Sequence, residues 1–121
     1  MAKLDPDLLK ARLQRALDVA GNTHTADDVA DLVKAGRMQS WVNGDSLVVT
    51  EIVHYPRTNA LNVFLAVGNM DEVLDLIPLM AEFGRQHGCT KMRMQGRRGW
   101  ARVLPDLGWR EQKQVIYERA L

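Results

Sequence analysis

The amino-acid sequence predicts an α+β fold, a mixed and mostly antiparallel sheet with helices on both faces. Three observations carry this. Residues 5–35 repeat their apolar side chains at helical spacing, and from Met38 the period switches to that of strands. Asn43-Gly44 then joins two strand-like runs as a two-residue hairpin, because both residues tolerate positive φ. A near-continuous apolar run, Leu61 to Val67, leads into a long amphipathic segment, so later strands arrive by helical crossovers and run parallel to a neighbour or jump across the sheet. The predicted order is α-α-β-β-β-α-β-α-β in one domain spanning residues 1–121, long enough to bury a real core.

Each element has a local reason. Asp5-Pro6-Asp7 starts a helix with a capping carboxylate, a proline at the first helical position and an acidic first turn. Leu9, Leu13, Ala16, Leu17 and Ala20 share one face, and Gly21 ends the run. Thr25-Ala26-Asp27-Asp28 starts a second helix with Val29, Leu32 and Val33 inward, stopped by Gly36. Met38 to Val42 is a short strand holding Trp41, and Ser46 to Tyr55 a longer one ended by Pro56. Alternation puts Leu47, Val49, Glu51, Val53 and Tyr55 on one face, and Val48, Thr50, Ile52 and His54 on the other. Leu61 to Val67 reads as a central strand covered on both sides.

Gly68-Asn69 turns the chain into a helix from Met70 to His87, where Asn69 and Glu72 have capping-box spacing and Pro78 predicts a kink. Gly88 stops it, and Cys89 to Gln95 forms the next strand. In Gly96 to Trp109, two glycines bracket Arg97-Arg98. Trp100, Val103, Leu104 and Leu107 make a helical stripe, and Gly108 suits a left-handed stop. A last strand, Glu111 to Arg119, carries Val115 and Tyr117 on one face.

Composition is that of an ordinary soluble globular protein. No apolar run is long enough to span a membrane, and the N-terminus lacks the apolar core of a secretory signal. The single Cys89 excludes an internal disulfide and a multi-cysteine metal site, so a reducing, cytoplasmic setting is expected. His24, His54 and His87 form no metal-ligand spacing, and no metal is expected. Charge is unevenly placed: residues 1–83 carry seven Lys/Arg against twelve Asp/Glu, residues 84–121 nine against three. Such a split marks an anion-binding face, or two complementary faces of one domain or of two subunits.

The element order, with Leu104-Pro105-Asp106-Leu107-Gly108-Trp109 turning a short helix into the last strand, resembles the GNAT superfamily of N-acetyltransferases. The likeness covers nearly the whole chain at the level of element order, without the family's first strand. Within that superfamily, Gly96-Arg97-Arg98-Gly99-Trp100, Gly108-Trp109, Val49-Thr50-Glu51-Ile52 and Tyr55-Pro56 are similar to small GNAT-like proteins of phages and prophages. The resemblance implies transfer of an acetyl group from acetyl-CoA to an amine. It also implies a cofactor pyrophosphate held on backbone amides where the long helix begins. Val67, Gly68, Asn69 and Met70 stand there. The family's leading Gln or Arg is absent, Met70 is bulky, and Asp71 and Glu72 put negative charge where phosphate would sit.

The residues that such chemistry would use are Glu51 as base, with His54 as a second candidate, Tyr117 as acid, and Arg97 and Arg98 for the cofactor phosphates. Glu51 also suits a salt bridge to Arg97 or Arg98, and His54 an exposed strand end. Tyr117 falls on the last strand rather than after the fifth, where the family's acid usually comes. The alternative is a non-catalytic virion component or host-interaction protein that presents Arg93, Arg97, Arg98 and Arg102 to a partner. Such a protein would work in the host cytoplasm or the virion. Nucleic-acid binding has a weak signature, because exposed aromatics do not interleave with the basic residues. A homodimer is expected, since a terminal strand leaves a sheet edge that needs covering.

Overall fold

The computed structural model describes residues 6–19, 23–95 and 98–121, without the side chains of residues 6–9 and Arg98. The expectations for Asp5, Ala20, Gly21, Gly96 and Arg97, and for the side chains of Leu9 and Arg98, lie outside those residues. The elements are α1 (Pro6–Val19), α2 (Ala26–Lys34), β1 (Met38–Asn43), β2 (Ser46–His54), β3 (Asn59–Val67), α3 (Met70–Gln86) and β4 (Cys89–Met94). Two short 3-10 turns, Arg98–Arg102 and Leu104–Leu107, replace the single short helix expected there, and Gly108 closes them at φ 88°.

Local chemistry sets the element ends. The Thr25 hydroxyl accepts from the Asp28 N–H at 3.1 Å, and the Asp28 carboxylate accepts from the Thr25 N–H at 2.9 Å, a reciprocal box that starts α2. Helix α3 runs on through Pro78, whose missing N–H leaves the Leu74 carbonyl without its helical donor at an exposed position of the helix.

The sheet order is β1-β2-β3-β4, with β1–β2 and β2–β3 antiparallel and β3–β4 parallel. Helices α1 and α2 cover one face, where Leu13, Leu17, Val29, Leu47 and Val49 are buried together. Helix α3 covers the other, over Val48, Leu61, Val63, Val73 and Met80. Full burial of one such aliphatic side chain contributes about 1.5–3 kcal/mol, so these two layers supply the main drive to fold.

Strand β3 changes face along its length. Leu61 and Val63 point to α3, whereas Leu65 joins the α1/α2 layer. The cause is an extra residue: Val49 pairs with Leu65 and Thr50 with Val63, so Phe64 has no opposite number on β2. One added residue inverts a strand's alternation and bends it. Pairing with β4 ends at the same place, at Val63–Met94, while β3 itself continues to Val67. The two strands part company at the bulge.

The ninth expected element is not formed. Residues 109–121 carry no strand, and Val115, Ile116 and Tyr117 are 69%, 65% and 90% exposed. Their alternation suits a strand, but a strand needs a neighbour for its backbone groups, and here the segment stands clear of the sheet.

Candidate active site where β3 leaves β4

Register brings three polar side chains into one row across the sheet. Glu51 on β2 pairs with Asn62 on β3, and Asn62 with Arg93 on β4. Asn62 Nδ2 donates to Glu51 Oε1 at 3.0 Å. Arg93 Nη1 reaches past β3 and donates to the Tyr55 hydroxyl at 2.7 Å, while Lys91 Nζ lies 5.9 Å from the centre of the Tyr55 ring. Val53, Tyr55, Asn62, Arg93, Met94 and Gln95 line an open cleft of about 230 Å³ here. Its lining brings together a cation, a phenol and an amide, and Asn62 links it to the Glu51 carboxylate. Such a cleft can take a proton, give one, and hold a polar substrate.

The turn from β3 into α3 is the second part of the site. Gly68 has φ 117°, a conformation suited to glycine, and a side chain there would meet the Cα of Ser46 at 2.7 Å. Buried Ser46 accepts the Asn69 N–H at 2.8 Å and donates to Glu72 Oε1 at 2.9 Å. Asn69 Nδ2 also reaches Glu72 Oε1, at 3.0 Å, and Asn43 Nδ2 donates to the Glu72 carbonyl at 3.0 Å. The capping box expected of Asn69 and Glu72 is therefore replaced. Asn69 spends its side chain on the Glu72 carboxylate, which fastens the β1–β2 hairpin to the helix, and among the described residues no side chain caps the first turn of α3.

The sequence candidates are not gathered into one place. Glu51 is half-buried and held by Asn62, not by an arginine, among the described residues. His54 lies on the opposite face of β2 at its exposed end, with Nδ1 2.8 Å from Asn59 Oδ1. Tyr117 is exposed on the irregular C-terminal segment, so its expected place on a strand is corrected. Val67, Gly68, Asn69 and Met70 do form the β3–α3 turn, with Gly68 and Asn69 exposed. Arg97 and the Arg98 side chain lie outside the described residues. Cys89 sits beside α3, where burial pushes its thiol up from the ordinary range and makes a poor nucleophile. Among the described residues, no group of three or more metal-ligating side chains forms, and no helix is long and apolar enough to cross a membrane.

Sequence reasoning missed Tyr55 and Asn62 as site residues. Tyr55 was within reach, because alternation places it on the face of Glu51. Asn62 and its link to Arg93 depend on the parallel register of β4, which no local pattern encodes.

No family model matches the chain, and no curated protein matches it by sequence. Among solved structures, an acetyltransferase of Trypanosoma brucei superposes with a TM-score of 0.62 at 13% identity, covering 92% of this chain and 94% of that one. A tetramutant of the BH1408 protein of Bacillus halodurans superposes with a TM-score of 0.61 at 12% identity, covering 94% of this chain and 88% of that one. The fold is GNAT-like. In this GNAT-like frame, the cleft and the uncapped start of α3 lie at either end of the stretch of β3 that β4 leaves unpaired. The fold carries no chemistry of its own, so function rests on those groups.

Proposed function

We propose that the protein is an acyltransferase that uses acetyl-CoA to acylate an amine. The observation that carries this reading is the bulge at Phe64, where β3 parts from β4 and frees a strand edge that runs to the first turn of α3. Acetyl-CoA supplies an activated thioester on an amide-bearing arm that ends in a diphosphate. The free edge of β3 from Phe64 to Val67 would hold the arm by main-chain hydrogen bonds, as an added strand is held. The uncapped amides at the start of α3 would hold the diphosphate.

The chain's own groups then have distinct tasks. Glu51 accepts a proton from the attacking amine, directly or through one water, and Asn62 fixes the orientation of its carboxylate. The Tyr55 oxygen accepts from Arg93, which leaves the Tyr55 O–H free to donate toward a leaving thiolate.

A second reading, a non-catalytic interaction domain, draws support from the Glu72 carboxylate, which lies at the start of α3 with Asp71 beside it. Negative charge there opposes a diphosphate. Calorimetric titration with acetyl-CoA at low and moderate salt separates the two. Micromolar binding that survives moderate salt, followed by acylation of an amine panel that Glu51→Gln abolishes, supports the enzyme. Binding that is absent, or that vanishes with salt, supports the interaction domain.

A further inference from the structure

We propose that the acceptor is a small amine that also carries a carboxylate, and that Arg93 binds the carboxylate. The inference rests on the acyl-transfer reading and adds the class of acceptor to it. Strand register carries it. Ala60 pairs with Lys91 and Asn62 with Arg93, so both cations stand on the sheet face that bears Glu51. Both are exposed, and among the described residues neither is paired with a carboxylate. Arg93 commits one N–H, on Nη1, to the Tyr55 hydroxyl. A guanidinium has further N–H donors in a planar fork, and these remain for a ligand. The carboxylate in the same row, that of Glu51, accepts from Asn62 instead.

The cleft limits what can enter. Its volume of about 230 Å³ is less than a drug-sized molecule needs, so it suits a short chain. Val53 and Met94 offer an apolar wall to methylene groups, and the Tyr55 hydroxyl with the Asn62 and Gln95 amides makes a polar one. A guanidinium takes up a carboxylate in two parallel hydrogen bonds, and Lys91, 5.9 Å from the centre of the Tyr55 ring, adds positive charge on the same side. Glu51 and Arg93 stand at one level of the sheet with Asn62 between them, two strand spacings or about 10 Å apart at the backbone. Both side chains reach toward β3. One short amino acid can therefore set its carboxylate on Arg93 and its amine toward Glu51. A polyamine would meet two like charges at Lys91 and Arg93, and a neutral amine would make no use of them.

The test compares each acid with its own ester. The full chain, alone and with CoA, is titrated with glycine, β-alanine, γ-aminobutyrate and δ-aminovalerate and with their methyl esters, followed by the amide NMR signals of Tyr55, Asn62 and Arg93. At least one acid should bind about tenfold or more tightly than its ester and move those signals. Arg93→Met should weaken the acid far more than the ester, and Arg93→Lys should restore part of the difference. The same pairs are then offered as acceptors with acetyl-CoA, and the acid should have the higher kcat/KM. Acid-selective binding without acetyl transfer would sink the transferase reading and leave the ligand class standing. Acetyl transfer that does not prefer the acid would do the reverse. The proposal is also overturned if no acid binds, if acid and ester bind alike, or if phosphoethanolamine binds more tightly than every acid. A loss in Arg93→Met shared equally by acid and ester would overturn it too.

Discussion

Arg93 donates to the Tyr55 hydroxyl at 2.7 Å, although β3 lies between the strand that carries Arg93 and the strand that leads to Tyr55. The contact passes over β3 beside Asn62 and closes one flank of the cleft. Further back along the same β2 segment, the Glu51 carboxylate is held by Asn62 of β3. Glu51 and Tyr55, the base and acid candidates, both belong to the β2 segment, four residues apart, which separates them along the strand by about 13 Å at about 3.3 Å per residue.

This arrangement divides the kinetic consequences. Glu51→Gln keeps the shape and the Asn62 contact but removes the base, and kcat should fall about 100-fold or more with KM little changed. Tyr55→Phe should lower kcat less, because water can protonate a thiolate. Arg93→Met should affect kcat and KM together, since it frees Tyr55 and removes a charge. Steady-state kinetics on any accepted amine would check these, with circular dichroism to confirm folding. Equal effects of Glu51→Gln on kcat and on stability would remove Glu51 from the chemistry.

Three glycines with positive φ should rank by what their side chains would meet. Gly36 has φ 75° and open space around it, so Gly36→Ala should cost only backbone strain, about 1 kcal/mol. At Gly44, a Cβ would collide with the end of the Glu72 side chain. Glu72 can swing away, but only by giving up Ser46 and Asn69, so Gly44→Ala should cost more. At Gly68 the obstacle includes the Ser46 backbone, which cannot swing, and Gly68→Ala should cost most, about 3 kcal/mol or more. Urea midpoints of the three variants test the order.

Features set by neighbouring residues were legible in the sequence. The Thr25 cap, the two faces of β2 and the central place of β3 follow from spacing and residue type. So does a tight hairpin after β1, although its turn residues are Gly44 and Asp45 rather than Asn43 and Gly44, because Asn43 still pairs with Ser46. Features set by register were not. The Phe64 bulge is hidden because Val63 to Val67 is apolar throughout, and an extra residue in such a run breaks no visible alternation. The Glu51–Asn62–Arg93 row needs three strands in register, and the Ser46–Glu72 bond joins residues 26 apart. The C-terminal segment shows the opposite failure: its alternation is plain, yet in the single chain no strand forms there.

The start of α2 should respond to acid. The Asp28 carboxyl is held below its usual value, first by the Thr25 N–H and then by the Thr25 hydroxyl group, with a smaller aid from His24. A carboxyl depressed by folding contributes stability above its unfolded value, about 3.9, and loses it as pH falls through the folded value. Urea midpoints of the protein and of Asp28→Asn should therefore differ near neutral pH and converge below about pH 4. A difference that stays constant with pH would mean that the box owes nothing to the charge.

The buried polar relay at Thr50 offers the sharpest stability test. Thr50 is fully buried, accepts from Trp41 Nε1 at 2.9 Å and donates to Gln39 Oε1 at 2.9 Å. Trp41 in turn packs edge-on to Phe83 of α3, with ring centroids 5.6 Å apart. Thr50→Val keeps the volume but removes both hydrogen bonds, leaving the indole N–H and the Gln39 carbonyl to find other partners. The expected cost is about 1–3 kcal/mol. Gln39→Ala leaves the Trp41–Thr50 bond in place and should cost less, because only one bond is lost. A double-mutant cycle between Thr50→Val and Gln39→Ala should show a coupling of about 0.5 kcal/mol or more. Strict additivity would mean that Gln39 turns to solvent and that the Trp41 contact alone satisfies Thr50.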